Sequence, residues 1–361
     1  MEFKFDEIAF NSKAKKLPEE SDRQYYIGLE HLDTNSLYVS RWGSDVTPVG
    51  EKLLMKKGDV LFGKRRAYQR KVGIAPFDGI FSAHGMVLRP KEGVIDKDYF
   101  PFFISSDQFM ERAVRISVGG LSPTINWKDL KEQVFDIPTL EEQKKLASKL
   151  WAAYKLREEY KRLLTATDEM VKSRFIEMFG QVSDIAPRYE VKKLSDCCSY
   201  ISDGSHFSPA EDSLGLYPML SVKDMTEKGF VYSDCKYISK KDFDVLVSNG
   251  CQPHLNDVLV AKDGSYFKYS FVVTEDKEQA ILSSIAILRP KTDIIDPRYL
   301  AYYMLTDAVI QLVEKNYLTG TAIRRVILKG FKEIPTIIPP MALQKSFVAV
   351  LEQADKSKYL N

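Results

Sequence analysis

The chain has 361 residues, with 52 basic against 50 acidic side chains, a formal net charge of +2, and 44% hydrophobic residues. This balance describes a soluble globular protein of two or three domains and excludes a whole-molecule field that attracts polyanions, so any nucleic-acid contact must come from local clusters. No apolar run approaches the roughly 18 residues of a membrane span. The opening Met1-Glu2-Phe3-Lys4-Phe5-Asp6 lacks the basic and apolar regions of a signal peptide, so a cytoplasmic location is expected.

In chain order, the first strong local feature is GDVLFGKRRAYQRKVGIAP, Gly58–Pro76. A strand is expected over Val60–Phe62, followed at once by the cations Lys64, Arg65, Arg66, Arg70 and Lys71, with Tyr68 and Gln69 among them and no acid between. Such a stretch is either a solvated hairpin tip or a contact loop: the cations can neutralise phosphates, and Arg and Gln can pair bidentately with guanine or adenine edges. A second strand is expected at Met86–Leu88 and helical structure over Asp98–Val114. The loop SVGGLSPTINW, Ser117–Trp127, then offers Gly120, Ser122 and Thr124, a composition suited to close backbone approach to phosphate or to an ordinary glycine turn.

From Leu140 to about Phe179 there is no Pro or Gly, and Gly180 stands where a helix C-cap belongs. Leu146, Leu150, Ala153, Tyr160, Leu164, Val171, Phe175 and Met178 form an apolar stripe at three- and four-residue steps. A helix of that length, roughly 60 Å, needs a partner along its side. Further on, SDGSHFSP (Ser202–Pro209) places His206 in a polar loop, as turn residue or reader. The four cysteines, Cys197, Cys198, Cys235 and Cys251, show no metal-site spacing and are expected to be reduced thiols. Strands are expected at Val258–Val260 and Ile285–Leu288, and helical structure over Pro297–Glu314. AKDGSYFKYSF (Ala261–Phe271) supplies Lys262, Ser265, Tyr266, Lys268 and Tyr269, and YLTGTAIRRVI (Tyr317–Ile327) supplies Gly320, Thr321, Arg324 and Arg325. After Pro339-Pro340 a shorter helix is expected from Met341 to Asn361, with Leu343, Phe347, Val350, Leu351 and Ala354 on one side, packed antiparallel on the first.

The second half restates the first. VLRPKEGVIDKDYFPFFISSD (Val87–Asp107) recurs as ILRPKTDIIDPRYLAYYMLTD (Ile287–Asp307), GDVLFGK as NDVLVAK, DIPTLEEQKKL (Asp136–Leu146) as IIPPMALQKSF, and Gly120 is matched to Gly320. This is a tandem duplication of one large unit. Its framework is kept while the polar loops diverge, so two related domains would bind two different sequences. No phosphate-loop, dinucleotide, zinc-protease or nucleophile-elbow motif is present. The four histidines are scattered, and Glu190-Val191-Lys192 lacks the preceding Pro-Asp of a nuclease site. No catalytic or metal-binding residue is assigned.

Repeat order, GDVLF and NDVLVAKDG on strands, LRP before a tyrosine-bearing helix, IPTLEEQKKLASKL opening the long helix and SRFIEMFG (Ser173–Gly180) closing it together resemble the specificity subunit of type I restriction-modification enzymes, over the whole chain. The resemblance implies an α+β fold in which two tandem mixed α/β target-recognition domains, 1–138 and 183–338, are joined by long helices, 139–182 and 339–361. These helices would form an antiparallel two-helix coiled coil with pseudo-twofold symmetry. It implies a non-catalytic, sequence-specific DNA-binding scaffold reading two half-sites in double-stranded DNA. Its cofactors would sit on partners: S-adenosylmethionine on two methyltransferase subunits, and ATP with Mg on restriction-translocase subunits attached through them. In that family the distal helix is usually about as long as the central one, and here it is about half. A coiled-coil scaffold without DNA contact is the rival reading, but it leaves the divergent basic loops without a purpose.

Overall fold

A computed structural model describes residues 1–184, 187–320 and 324–359. The chain divides into two compact units, Met1–Tyr160 and Lys161–Asn361, and the division falls within one continuous helix, Leu140–Phe179. Among the described residues no helix is long and apolar enough to cross a membrane.

The first unit is built on a four-stranded antiparallel sheet in the order Ala9–Ser12, Met86–Pro90, Val60–Phe62, Val72–Ile74. The second unit repeats it as Cys198–Asp203, Ile285–Pro290, Val258–Ala261, Ser270–Val272. Register is also repeated: Val60 lies opposite Leu88, and Val258 opposite Leu288. These central strands read as unbroken apolar runs because successive side chains enter different cores. Val60, Phe62, Met86 and Leu88 join the large cluster with Phe5, Phe103, Phe109 and Phe135, while Leu61 and Val87 join a second one with Ile27, Met55 and Phe81. The duplicate partitions Val258, Val260 and Leu288 from Leu259, Ala261 and Ile287 in the same way.

Two polar locks explain the recurring sequence words. In GDV, Asp59 is buried and receives Arg89 of LRP through two hydrogen bonds of 2.6 and 2.7 Å. In NDV, Asp257 receives Arg289 at 2.8 and 2.9 Å. The residue before each Asp sits at positive φ, Gly58 at 90° and Asn256 at 69°, which is why only Gly or Asn stands there. The second lock is the Gln five residues after the helix-entry Pro. Gln143 accepts from the Asp96 N–H (2.7 Å) and donates to the Val94 and Pro138 carbonyls; Gln344 accepts from the Asp296 N–H (2.8 Å) and donates to those of Ile294 and Pro339. Both are fully buried, so each pins the first turn of a long helix to the Ile-Asp turn of its unit. Gln344→Leu keeps the size but strands one donor and two acceptors, and is expected to lower the stability of the second unit by about 2–4 kcal/mol in urea unfolding.

Two expectations need correction. Asp98–Val114 and Pro297–Glu314 are each two helices, Phe100–Ser105 with Asp107–Arg115 and Pro297–Met304 with Asp307–Asn316. The break falls at Ser106 and Thr306, both extended; Ser106 caps the new helix by accepting from the Phe109 N–H. The long helix does not use one stripe. Leu146 and Leu150 are exposed, whereas Gln143, Ala147 and Tyr154 are buried against the first unit, the Tyr154 hydroxyl accepting from the Leu37 N–H at 2.6 Å. Val171, Phe175 and Phe179 are buried in the second unit, where Phe175 and Phe179 meet Phe347 of the helix Met341–Tyr359 at 5.2 and 5.6 Å. Asp168 pairs with Lys358, so within the second unit these two helices run antiparallel, as the sequence leads one to expect.

Candidate nucleic-acid interface

In the first unit the cationic loop and the glycine loop, read separately from the sequence, form one structure. The Ile125 N–H donates to the Lys64 carbonyl (3.0 Å) and the Arg66 N–H to that of Pro123 (2.7 Å), making an antiparallel bridge with Arg65 opposite Thr124. Arg66 and Arg70 flank the short turn Ala67–Gln69 in the left-handed region, at φ 56° and 53°, an unusual backbone for arginine. Arg65, Arg66 and Tyr68 are exposed, and Arg66 Nε donates to Ser122 Oγ at 3.2 Å. Gly120 is exposed, with open space where a side chain would be, and Ser122 and Thr124 are half-buried.

Arg70 and Lys71 are engaged within the fold. Arg70 pairs with Asp107 and donates to the Ser105 carbonyl, Lys71 donates to the Leu29 carbonyl (2.6 Å), and the Gln69 carbonyl accepts from Thr34. Three further bases escaped the sequence reading. Lys15 lies close enough to Lys64 to add to the burial that lowers the Lys64 ammonium below its ordinary pKa. His84, whose carbonyl accepts from the Arg65 N–H, is held below its ordinary value by desolvation first, then by Arg65, Lys64 and Lys52. Only the Lys13–Lys16 charge run hinted at Lys15, because nothing local in a sequence says which distant lysines converge.

The second unit builds the same bridge. The Val326 N–H donates to the Lys262 carbonyl (3.1 Å) and the Gly264 N–H to that of Arg324 (2.9 Å), with Asp263 opposite Arg325. This register corrects the repeat alignment: Thr124 corresponds to Arg325, and Gly320 (φ 88°) to Gly119 (φ 111°), not to Gly120. Thr321 lies outside the described residues. Lys262 is buried, its ammonium 3.3 Å from Asp203 and 3.2 Å from Asp263, so it braces the loops rather than facing solvent. Exposed His206 stands 3.3 Å from the same Asp203, which brings the Ser202–Pro209 loop to the bridge. Ser265, Lys268, Arg324 and Arg325 are exposed. Half-buried Tyr266 donates to Glu314 (2.9 Å), and the Lys268 ammonium lies over the half-buried Tyr269 ring at 5.0 Å.

Elsewhere the chemistry is structural. Among the described residues no group of three or more His, Cys, Asp or Glu side chains is placed to hold a metal ion. All four cysteines are buried free thiols, and burial pushes Cys197 up to about 11 and Cys198 to about 12, which keeps them protonated and unreactive. Glu190–Lys193 is a strand paired with Pro335–Ile338.

Comparison with known proteins points the same way in sequence and in fold. The family model of the type I restriction modification DNA specificity domain matches residues 2–164 and 188–361. The type I restriction enzyme MjaVIII specificity subunit of Methanocaldococcus jannaschii is 26% identical over 186 residues, 51% of this chain and 39% of that protein. The alignment thus spans about two fifths of that relative's length. A chain from structural work on complex assembly and conformational transition of the type I R-M system superposes with a TM-score of 0.52 at 18% identity, covering 99% of this chain and 90% of that one. The type I restriction-modification system S subunit from M. genitalium gives 0.57 at 13% identity, with the same coverage. At these identities the likeness is one of fold.

Proposed function

Matched in two segments that together span most of its length, the chain belongs to the type I restriction modification DNA specificity family, and from that membership we propose that it is the non-catalytic specificity subunit of a type I restriction-modification enzyme. Segments 1–138 and 183–338 act as target-recognition domains, each reading one half of a bipartite site in double-stranded DNA, and 139–182 and 339–361 are the spacer helices. The observation that carries this reading is the loop-to-loop bridge, built twice with the same backbone hydrogen bonds and bearing exposed arginines both times. In the first domain Arg65, Arg66, Tyr68, Gly120 and Ser122 face the DNA, with Lys64, Lys15, Lys52 and His84 setting the local potential. In the second, Arg324, Arg325, Lys268, Ser265 and His206 face it, while Lys262 holds the loops.

In the second unit the long helix leaves Leu163 and Met170 exposed seven residues apart, a spacing suited to packing against a helix of a methyltransferase subunit. Two such subunits supply S-adenosylmethionine chemistry and carry the ATP- and Mg-dependent restriction subunits. The test is enrichment of a random duplex pool by the purified chain with its methyltransferase subunit. Two short motifs at a fixed separation, retained less well as salt rises, are expected. Recovery of no motif would leave the scaffold reading.

One pH effect follows. A phosphate beside His84 favours the charged imidazole against the desolvation and, after it, the cations that lower its pKa, so DNA binding takes up a proton there. Affinity for the first half-site is therefore expected to strengthen as pH falls from 7.5 toward 5.5, by up to about tenfold for each unit that DNA raises the His84 pKa. His84→Gln flattens that rise, and an unchanged pH profile in the variant would remove His84 from the interface.

A further inference from the structure

The two bridges are alike in backbone and reciprocal in charge. In the first unit the arginine pair, Arg65-Arg66, sits on the strand leaving the central sheet, opposite Thr124 and Pro123. In the second unit the matching positions are Asp263 and Gly264, and the pair, Arg324-Arg325, has moved to the facing strand, where the first unit has Pro123-Thr124. Duplication followed by drift would scatter charges at random around a loop. Here each copy keeps two consecutive arginines on the same two rungs and differs only in which strand carries them. Residues directly opposite on an antiparallel bridge project to the same face, so Arg65 with Thr124, and Asp263 with Arg325, address the same side of their bridges.

Resting on the DNA-reading proposal, we infer that the first rung is the specificity-determining position of each domain: Arg65 with Thr124 in one, Arg325 with Asp263 in the other, the strand that bears the arginine setting which base pair of the half-site it reads. The electrostatic context agrees. Where the arginine stands on the leaving strand, its chain neighbours Lys64 and Arg66 are cations and the facing Thr124 is uncharged, so the rung carries no carboxylate. Where it stands on the facing strand, Asp263 and Asp203 enclose Lys262 and leave acceptors beside Arg325. Carboxylates accept from the exocyclic amine of cytosine, whereas arginine donates to guanine. The first domain is thus built to read a guanine edge with no carboxylate beside the arginine, and the second to read a guanine edge and an amine side by side. Opposed residues across such a bridge are about 5 Å apart, and base pairs rise by about 3.4 Å. Moving the arginine across the bridge displaces its contact by one or two base pairs.

The experiment transposes that rung in the first domain by the double variant Arg65→Thr with Thr124→Arg, which conserves composition and charge. Bound motifs are read from a random duplex pool by the purified chain with its methyltransferase subunit. The wild-type motif must appear first, since its absence would defeat the DNA-reading proposal itself. The double variant is expected to keep the second half-motif, as proof that the chain is folded, and to shift the preferred guanine of the first by one or two positions. Arg65→Thr alone is expected to erase that position, with at least a tenfold loss in first-half-site affinity. Arg65→Lys is expected to keep affinity within about threefold while blurring the base preference, because lysine lacks the bidentate fork. An unchanged first half-motif in both Thr124→Arg/Arg65→Thr and Arg65→Lys, or its complete loss in the double variant with the second half intact, would overturn the inference.

Discussion

Arg289→Ala is expected to destabilise the second unit by about 2–3 kcal/mol while leaving the first unit's transition in place. Asp257 has no solvent exposure and accepts both guanidinium hydrogen bonds of Arg289 as well as the His254 N–H at 2.8 Å. Removing the arginine takes away the carboxylate's cation; because the guanidinium is 37% exposed, water reaches part of the vacated space, and the cost lies between that of an exposed pair and that of a fully buried one. Arg289→Lys should recover only part of the loss, since an ammonium cannot span both carboxylate oxygens. The readout is built into the chain, because its three tryptophans, Trp42, Trp127 and Trp151, all lie in the first unit. In urea, tryptophan fluorescence should keep its wild-type midpoint, while far-ultraviolet circular dichroism gains a second transition at lower urea. Superimposable transitions at the wild-type midpoint by both probes would show that this pair is dispensable.

The second large effect concerns binding. Arg65→Ala with Arg66→Ala removes the two exposed cations of the first bridge, and each phosphate contact contributes roughly 0.9 to the salt slope. Losing both should flatten the dependence of log affinity on log salt by about 1.8 and weaken the first half-site alone. Arg70→Ala is the informative control. Arg70 stands in the same cationic run but is committed to Asp107 and the Ser105 carbonyl, so its removal should change the salt slope little. Equal flattening by all three positions would mean that the cluster acts as a diffuse field rather than through the bridge.

Much of this was legible in the sequence because the chain carries its own comparison. Repetition of LRPK, Ile-Asp and the helix-entry Pro located the framework before any coordinate did, and the structure supplies the reason: Arg89 and Arg289, Gln143 and Gln344 are buried locks whose partners recur with them. The long helix was legible in its ends, from Leu140 to Gly180, but not in its faces. Its first half buries Gln143, Ala147 and Tyr154 in place of Leu146 and Leu150, and spacing alone does not tell which of them turns inward. The cationic run is visible in the sequence, but adjacency hides that Arg70 and Lys71 turn back to the fold while Arg65 and Arg66 are exposed. Loop alignment failed by one residue at Gly320, since spacing of glycines is a weaker guide than backbone register. Lys15, Lys52 and His84 reach the site only through folding, and apart from the Lys13–Lys16 charge run no local pattern announces them.

Mapping of methylated bases in the genome of cells expressing this chain with its cognate methyltransferase subunit tests the central claim most directly. The account predicts N6-methyladenine within a two-part motif of fixed spacing, lost when this chain is removed and altered in one half only by Arg65→Ala or by Arg325→Ala. Methylation that persists unchanged without the chain, or no motif at all with a stable methyltransferase present, would contradict it.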